Sequence, residues 1–388
     1  MAESKADIGA GTGRPAAMLP VFVAFLLSGV SSTMLGPLLP LLGRRLELGD
    51  GGSGAMITAL FGGAAVGAIA CGRVLERWGY RRMLCTGYGL VGVGAAMMAA
   101  PSTAAVAMGI LLIGFGLGLV IPASNLLVAE TSGERSASRL NLLNVCGGSG
   151  AVAGPPAVAW LRDAYGLAGV AGMMGMMAVV CAVVLFRTVP AAHPRTGERG
   201  ESRRRFQWTV AILLFLYVGA ETTLSGWLPT MAMRRAGAHS GMEALPLSAY
   251  WGAMMAGRGL AAVLLRRYTV ARLMRVLLVG APVAAATLAL GSTTLGIAIC
   301  AALAGLFFGP VFPNAISVLQ AAFPAEARRL GPPVFAAASA GGAIVPWVAG
   351  WMSASTNDVR VILGPAVACL IVMAPVWSSV RRQAGLRG

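Results

Sequence analysis

Charged residues are scarce in this sequence. They make up only 11% of its 388 residues, whereas 57% are hydrophobic. A typical soluble domain carries about 25% charged residues, so this chain has too few charged side chains to cover a surface that faces water. The shortage excludes an ordinary water-soluble fold and indicates a chain that lies in a membrane.

The residue types that build most chemical sites are also few. The six cysteines lie in or next to apolar runs, the two histidines lie between such runs, and neither type shows metal-ligand spacing. We therefore expect no metal, no cofactor and no disulfide framework. Nothing resembles a nucleotide-binding loop or a catalytic triad, so we expect neither an enzyme nor direct use of ATP. Residues 1–17 also lack the apolar segment of a cleaved signal peptide.

Long apolar runs are abundant. A bilayer-spanning helix needs about 20 mostly apolar residues, and backbone polar groups in lipid must find their hydrogen bonds within the helix. The runs differ from the weak alternation of a membrane barrel. They predict an all-α membrane protein with twelve transmembrane helices, at about 18–42, 54–73, 83–100, 104–130, 140–161, 167–187, 206–232, 246–265, 273–290, 294–321, 331–352 and 361–380.

The basic residues, which give a net charge of +16, are unevenly placed. With the N-terminus in the cytoplasm, 23 of the 30 Lys and Arg residues fall in cytoplasmic segments and six fall on the other side. By the positive-inside rule, this predicts a multi-pass protein with both termini in the cytoplasm. The membrane that we expect is a bacterial inner membrane. No basic groove is interleaved with exposed aromatic residues, so nucleic acid is not expected as a partner.

A polar, basic segment at 189–205 divides the predicted helices into two sets of six. It is rich in helix breakers and is typical of a linker, which we expect in the cytoplasm. We therefore predict an N-terminal six-helix half at 1–188 and a C-terminal six-helix half at 206–388.

The two halves resemble each other in sequence. GLVIP at 118–122 matches GPVFP at 309–313, and Pro155 matches Pro346 at the same offset of 191 residues. A constant offset between residues as rare as proline argues for a duplicated, pseudo-symmetric unit. Duplicated halves that enclose a site near the middle of the membrane are typical of secondary transporters.

The loop after the second predicted helix carries a recognisable motif. GRVLERWGYRR at 72–82 resembles the signature of the major facilitator superfamily, with a glutamate where the usual residue is aspartate. Its acid and arginines can form charge-assisted bonds that break when the halves move; the alternative is a set of ordinary cytoplasmic arginines. The residues that fill the motif, and that we expect to form a conformational switch, are Gly72, Glu76, Arg77, Gly79, Arg81 and Arg82.

Four further segments narrow the resemblance. RLNL at 139–142, YVGAE at 217–221, YWGAMMAGR at 250–258 and GLFFGPVFP at 305–313 are similar to the fucose–glucose–proton symporter family. This resemblance implies the major facilitator fold and the import of monosaccharides by alternating access, generally with protons. The chain departs from the family's best-known member, which has membrane-embedded acids in helices one and four. Helix one here contains no acid, and Ile121 stands at the corresponding place in helix four.

Polar groups inside a membrane bundle are costly and usually face a cavity or one another. Amides, a carboxylate and aromatic rings suit the hydroxyls and flat faces of a sugar. The alternative for each asparagine is a hydrogen bond between helices, and for the outer Trp and Tyr residues it is anchoring at the lipid interface. The candidate substrate-binding residues are Asn125, Asn141, Asn144, Tyr217, Glu221, Trp227, Tyr250, Arg258 and Asn314.

Glu221 and Arg258 are the only acid and the only base deep in predicted helices. We expect them to pair, because the seventh and eighth helices are consecutive; the alternative is a structural ion pair that never touches ligand. A nearby arginine would hold the carboxylate ionised. The sequence therefore predicts a monomeric, alternating-access transporter of a small polar solute, preferably a monosaccharide, as a facilitator or a weakly proton-coupled symporter. The alternative is a major facilitator exporter of drugs or metabolites.

Overall fold

The described part of the chain is helical and contains no strand. The computed structural model describes residues 18–132, 136–191, 193, 204–239, 241–322 and 327–385, without the side chains of 136–138, 141, 320–322 and 327–332. The predicted linker at 189–205 therefore lies largely outside the described residues. The helices are α1 Leu19–Thr33, α2 Leu35–Arg45, α3 Asp50–Met98, α4 Thr103–Ser132, α5 Ser136–Thr188, α6 Arg204–Ala236, α7 Leu245–Leu264, α8 Val270–Thr287, α9 Thr294–Phe308, α10 Val311–Ala322, α11 Ala327–Thr356 and α12 Leu363–Gln383.

Several of these helices can cross a bilayer. Within the described ranges, eight helical stretches are long and apolar enough, or nine when α1 and α2, which meet at a bend of 42°, are taken as one span. The chain is therefore a multi-pass membrane protein with an all-α fold.

Two helices are too long to be single spans. α3 has 49 residues and α5 has 53, and at about 1.5 Å per residue each would exceed twice the roughly 30 Å thickness of the hydrocarbon core. Gly79 (φ 72°) and Gly166 (φ 65°) interrupt them with a backbone conformation that favours glycine. With both helices counted as two spans and the less apolar α7 added, the described helices match the twelve predicted ones, although that count stays a prediction.

Glycines allow α4 to lie against the first part of α3. A Cβ atom at Gly63 would lie 2.2 Å from the Leu111 carbonyl oxygen, and one at Gly114 would lie 1.8 Å from the Leu60 carbonyl oxygen. Such small residues let the backbones of membrane helices approach closely. Larger side chains at these positions would force the two helices apart.

The helix ends define two faces of the molecule. Met18 at the start of α1 contacts Thr131 at the end of α4, and Gln383 at the end of α12 contacts Thr209 near the start of α6. We call the side with these ends the proximal face and the opposite side, which carries Asp50 at the start of α3, the distal face. We keep the names of the predicted division, which stays a prediction: helices before residue 189 are called the N-terminal half and helices after 203 the C-terminal half.

Candidate functional site

A polar cluster is buried within the C-terminal half. Tyr217 and Glu221 lie one turn apart on α6, and both are buried. The Tyr217 hydroxyl lies 3.2 Å from the Phe308 carbonyl oxygen and 3.5 Å from Glu221 Oε1. A hydroxyl has one proton to donate, so the shorter contact to the backbone is the stronger one. The Glu221 carboxyl is therefore only weakly held by its tyrosine neighbour.

Arg258 reaches the cluster from α7 but does not bind Glu221 directly. Its Nε donates to the Gly309 carbonyl oxygen at 3.1 Å, and no ion pair joins it to Glu221, although its charge acts on that carboxyl. The reason lies in the backbone: the helical partner of Gly309 would be the N–H of Pro313, and proline has none. The predicted ion pair is thus wrong as a direct contact, because the arginine satisfies a free carbonyl instead.

Aromatic rings enclose this cluster. The Phe308 ring lies 5.7 Å from that of Tyr217 and 6.0 Å from that of Tyr250, and the Phe312 ring lies 5.9 Å from that of Tyr217. The Tyr250 hydroxyl is buried and has no hydrogen-bond partner among the described residues. Because Tyr250 has no exposed surface, it cannot anchor the chain at the lipid interface. Its hydroxyl is a buried donor whose hydrogen bond is unmet among the described residues.

Trp227 lies apart from the cluster, closer to the distal face. It is fully buried, so the lipid-anchoring alternative is wrong for this residue as well. A Cβ atom at Gly350 would lie 3.1 Å from its ring, which places the indole between α6 and α11. Its Nε1 is buried without a partner in the described structure.

The predicted asparagines differ in their surroundings. Asn125 and Asn144 donate to carbonyls one turn back in their own helices, at 2.8 Å to Ile121 and 2.9 Å to Leu140. Asn314 is buried, and its Nδ2 has no partner within the described ranges. Asn141 lies in α5, but its side chain is outside the described residues. The structure therefore groups Tyr217, Glu221, Tyr250 and Arg258. Among the described side chains, no hydrogen bond joins this group to Asn125, Asn144 or Asn314.

One link brings the N-terminal half to this cluster. A Cβ atom at Gly148, one turn beyond Asn144, would lie 2.3 Å from Met255 Sδ. Met255 in turn lies 3.9 Å from Arg258 Nη1. The α5 segment that carries Asn144 thus packs against the α7 segment that carries Arg258.

The signature loop lies on the proximal face, around Gly79. Glu76 and Arg77 are exposed and form no ion pair with any described residue. The Arg81 guanidinium lies 5.0 Å from the centre of the Phe186 ring. Among the described residues, therefore, Glu76 and Arg77 form none of the charge-assisted bonds expected of this loop.

Ion pairs join the two halves at the distal face. Arg234 of α6 donates from both Nη atoms to the Asp50 carboxylate of α3, one of them at 2.7 Å. Ser353 of α11 donates to Asp50 Oδ2 at 2.6 Å. Asp50 thus receives two side chains from the opposite half.

A second ion pair lies on the same face. Arg162 of α5 donates to Glu243 Oε1 at 2.5 Å and to the Pro37 carbonyl oxygen at 2.6 Å. Glu243 precedes α7, much as Asp50 begins α3, and Ser353 follows Arg162 by the 191-residue offset of the repeat. We call Asp50, Arg162, Arg234, Glu243 and Ser353 the distal clamp. It consists of two links related by the internal repeat.

Sequence reasoning missed the distal clamp. Arg162 and Arg234 are among the six basic residues on the less basic side of the membrane, and their sequence positions alone do not pair them with the two acids. The signal was available: two acids and two arginines lie at the ends of apolar runs on the less basic side of the membrane. It was hidden because each link joins residues more than 80 positions apart.

Comparisons with known proteins agree on one fold. The model of the Major Facilitator Superfamily matches residues 21–332, and no curated protein matches the chain in sequence. Similar solved structures include the Escherichia coli fucose:proton symporter FucP, with 17% identity, a TM-score of 0.67, and coverage of 93% of this chain and 97% of that one. Another is an inward-facing, occupied bacterial homolog of the human lysosomal transporter Spinster, with 13% identity, a TM-score of 0.75, and coverage of 96% and 98%.

Proposed function

This chain belongs to the Major Facilitator Superfamily, and we propose that it moves a small polar solute across the membrane. Members of this family are transporters and are generally not enzymes. A monosaccharide is the solute class that the buried side chains suit best. The proposed transport is facilitated diffusion or weakly proton-coupled symport by alternating access. The proposed location is a bacterial inner membrane, with the proximal face toward the cytoplasm. We propose that the protein is a monomer.

The observation that carries this proposal is the buried cluster around Tyr217. It offers a carboxylate, a guanidinium and a tyrosine hydroxyl without a partner, Tyr250 Oη, beside the rings of Phe308 and Phe312. Sugar hydroxyls both donate and accept hydrogen bonds, and sugar C–H faces stack on aromatic rings. Buried polar groups with unmet hydrogen bonds are costly, so a ligand that supplies the missing partners would be favoured.

The pattern of contacts between the halves supports alternating access. Every hydrogen bond between the halves, among the described residues, lies in the distal part of the bundle, for example Thr58 to the Ala343 carbonyl and Ser248 to the Val152 carbonyl. Opening toward the distal face must break the distal clamp. The signature loop on the proximal face is the place where new bonds would form in exchange.

The first test is a thermal-shift screen of the purified protein against a panel of monosaccharides, followed by uptake of the best ligand into proteoliposomes. We expect one sugar class to stabilise the protein and to be taken up, and a Tyr250→Phe variant to bind it less tightly while unfolding at a similar temperature. Export of lipophilic dyes without sugar binding would reject the monosaccharide and favour the exporter.

A further inference from the structure

An open groove of about 820 Å³ lies on the outer surface of the C-terminal half, between α8 and α9. The end of the groove at the proximal face is lined by Arg272 and Arg275, near the start of α8. The end toward the middle of the membrane is apolar and is lined by Val276, Val279, Gly280 and Phe307. The groove therefore has one charged end and one apolar end.

No acidic side chain among the described residues neutralises the arginines at the charged end. Arg272 and Arg275 are exposed and form no ion pair there; the Arg272 guanidinium lies over the Tyr268 ring at 5.1 Å. Arg266 and Arg267 follow α7 just before, and the segment 265–290 contains no acidic residue. Four arginines thus stand together at the membrane surface without a carboxylate from their own segment.

The apolar end continues along the helix toward the middle of the membrane. Gly280 follows Arg272 by eight positions, which is about 12 Å of helix at about 1.5 Å per residue. The floor is a true indentation, because Gly280 has no side chain and a Cβ atom there would lie 2.2 Å from the Phe307 ring. Val276 and Val279 form its exposed wall. An acyl chain could lie in this channel below a headgroup held by the arginines.

We propose that this groove is a binding site for an anionic phospholipid of the proximal leaflet. The phosphate and its net negative charge meet Arg272 and Arg275, and one acyl chain fills the channel beside Phe307. Basic pockets between membrane helices recognise anionic headgroups in this way. The site is separate from the cluster around Tyr217, so it holds a lipid from the surrounding membrane and not the transported solute.

The test uses native mass spectrometry of the purified full-length protein in a neutral detergent. Phosphatidylglycerol and phosphatidylcholine with the same acyl chains are titrated separately. We expect phosphatidylglycerol to bind more tightly. The Arg272→Gln/Arg275→Gln variant should lose about thirtyfold in affinity for phosphatidylglycerol, since two basic contacts are removed, and should bind phosphatidylcholine as the parent does.

Matched variants separate the groove from general surface charge. Arg381→Gln/Arg382→Gln removes two arginines near the end of α12 on the same face and should leave phosphatidylglycerol binding unchanged. Val279→Trp fills the channel without changing charge and should weaken binding at least fivefold. Val283→Trp, one turn further along the same exposed face, lies outside the groove and should not.

Each result decides the proposal. Equal binding of the two lipids by the parent would overturn the proposal. It would also be overturned if both double arginine variants lost the same affinity for phosphatidylglycerol, or if Val279→Trp kept the affinity of the parent. Unfolding temperatures measured without added lipid identify any variant that is merely misfolded. In that event, Val279→Leu, which narrows the channel with a smaller side chain, replaces the tryptophan and must also weaken phosphatidylglycerol binding.

Discussion

We propose that any proton coupling of the transport runs through Glu221. No acid is present in the first predicted helix, and Ile121 occupies the corresponding place in α4. The expected partner, Arg258, binds a backbone carbonyl instead. The depth of Glu221 in its helix could be predicted from the sequence, but the partner of Arg258 could not, because that depends on the Gly309 carbonyl that Pro313 leaves free.

We expect Glu221→Gln to retain sugar exchange and to lose any gain in uptake that a pH gradient gives. No second acid belongs to the described cluster around Tyr217 to receive the proton of Glu221. The coupling should therefore be weak, and the parent should gain little. The measurement is sugar uptake into proteoliposomes with and without an imposed gradient. Strong accumulation in the parent that disappears in the variant would show full coupling through Glu221, and a gain that persists in the variant would remove this residue from the coupling.

Trp227→Ala should lower stability by about 3–5 kcal/mol, as removal of a fully buried large aromatic does. The burial of this residue against Gly350 predicts a loss of protein abundance at least as large as any loss of sugar affinity. Trp351→Ala is the control, because Trp351 is a tryptophan on the exposed surface of α11 and should change stability by less than about 0.5 kcal/mol. Thermal unfolding in detergent measures both. Lost affinity at normal stability would place Trp227 in the binding site.

At the scale of the helices, the hydrophobic runs predicted the positions of most helices that the structure describes. Predicted helices at 104–130 and 167–187 correspond to α4 and to the part of α5 after Gly166. The sequence also marked the loop at Gly79, where the structure interrupts α3. The runs could not show how α1 and α2 bend or how closely α3 and α4 approach, because those features depend on contacts between helices.

Gly63→Ala should destabilise the protein by about 1–3 kcal/mol. The new Cβ atom would meet the Leu111 carbonyl oxygen at 2.2 Å, and the backbone of α4 would have to move away. Gly62→Ala is a matched control on the same turn, since nothing lies within 4 Å of its Cβ position. It should be neutral or slightly stabilising through better helix propensity. Equal unfolding temperatures for the two variants would contradict the packing argument.

For the molecule as a whole, the sequence predicted the family and the fold but not the conformation. Hydrophobic pattern, repeat and signature loop are properties of the sequence, and they are the same in every state of a transporter. Which face is closed depends on free-energy differences between arrangements of the same helices. The distal clamp therefore had to be observed.

Breaking the distal clamp should open the distal face. In a background without the six native cysteines, a Ser225→Cys substitution places a thiol beside the small cavity between the halves. We expect Asp50→Asn/Glu243→Gln to raise its labelling by a membrane-impermeant reagent about tenfold, which corresponds to about 1.4 kcal/mol. Asp358→Asn is the control, because it removes a distal acid whose ion pair with Arg360 lies within one half. Equal labelling in both variants would show that the clamp does not hold the halves together.

The two links of the distal clamp also differ in their exposure to water. The Arg234 side chain is 49% exposed, whereas the Arg162 side chain is 9% exposed. Dissolved ions screen exposed charges over about 8 Å at physiological ionic strength and affect buried pairs far less. Salt should thus weaken the link at Asp50 and leave the link at Glu243 almost unchanged. In Glu243→Gln only the solvated link remains, so labelling of Ser225→Cys should rise with the sodium chloride concentration. In Asp50→Asn only the buried link remains, and labelling should not change with salt. The salinity of the medium at the distal face would then set how readily the transporter opens toward that side.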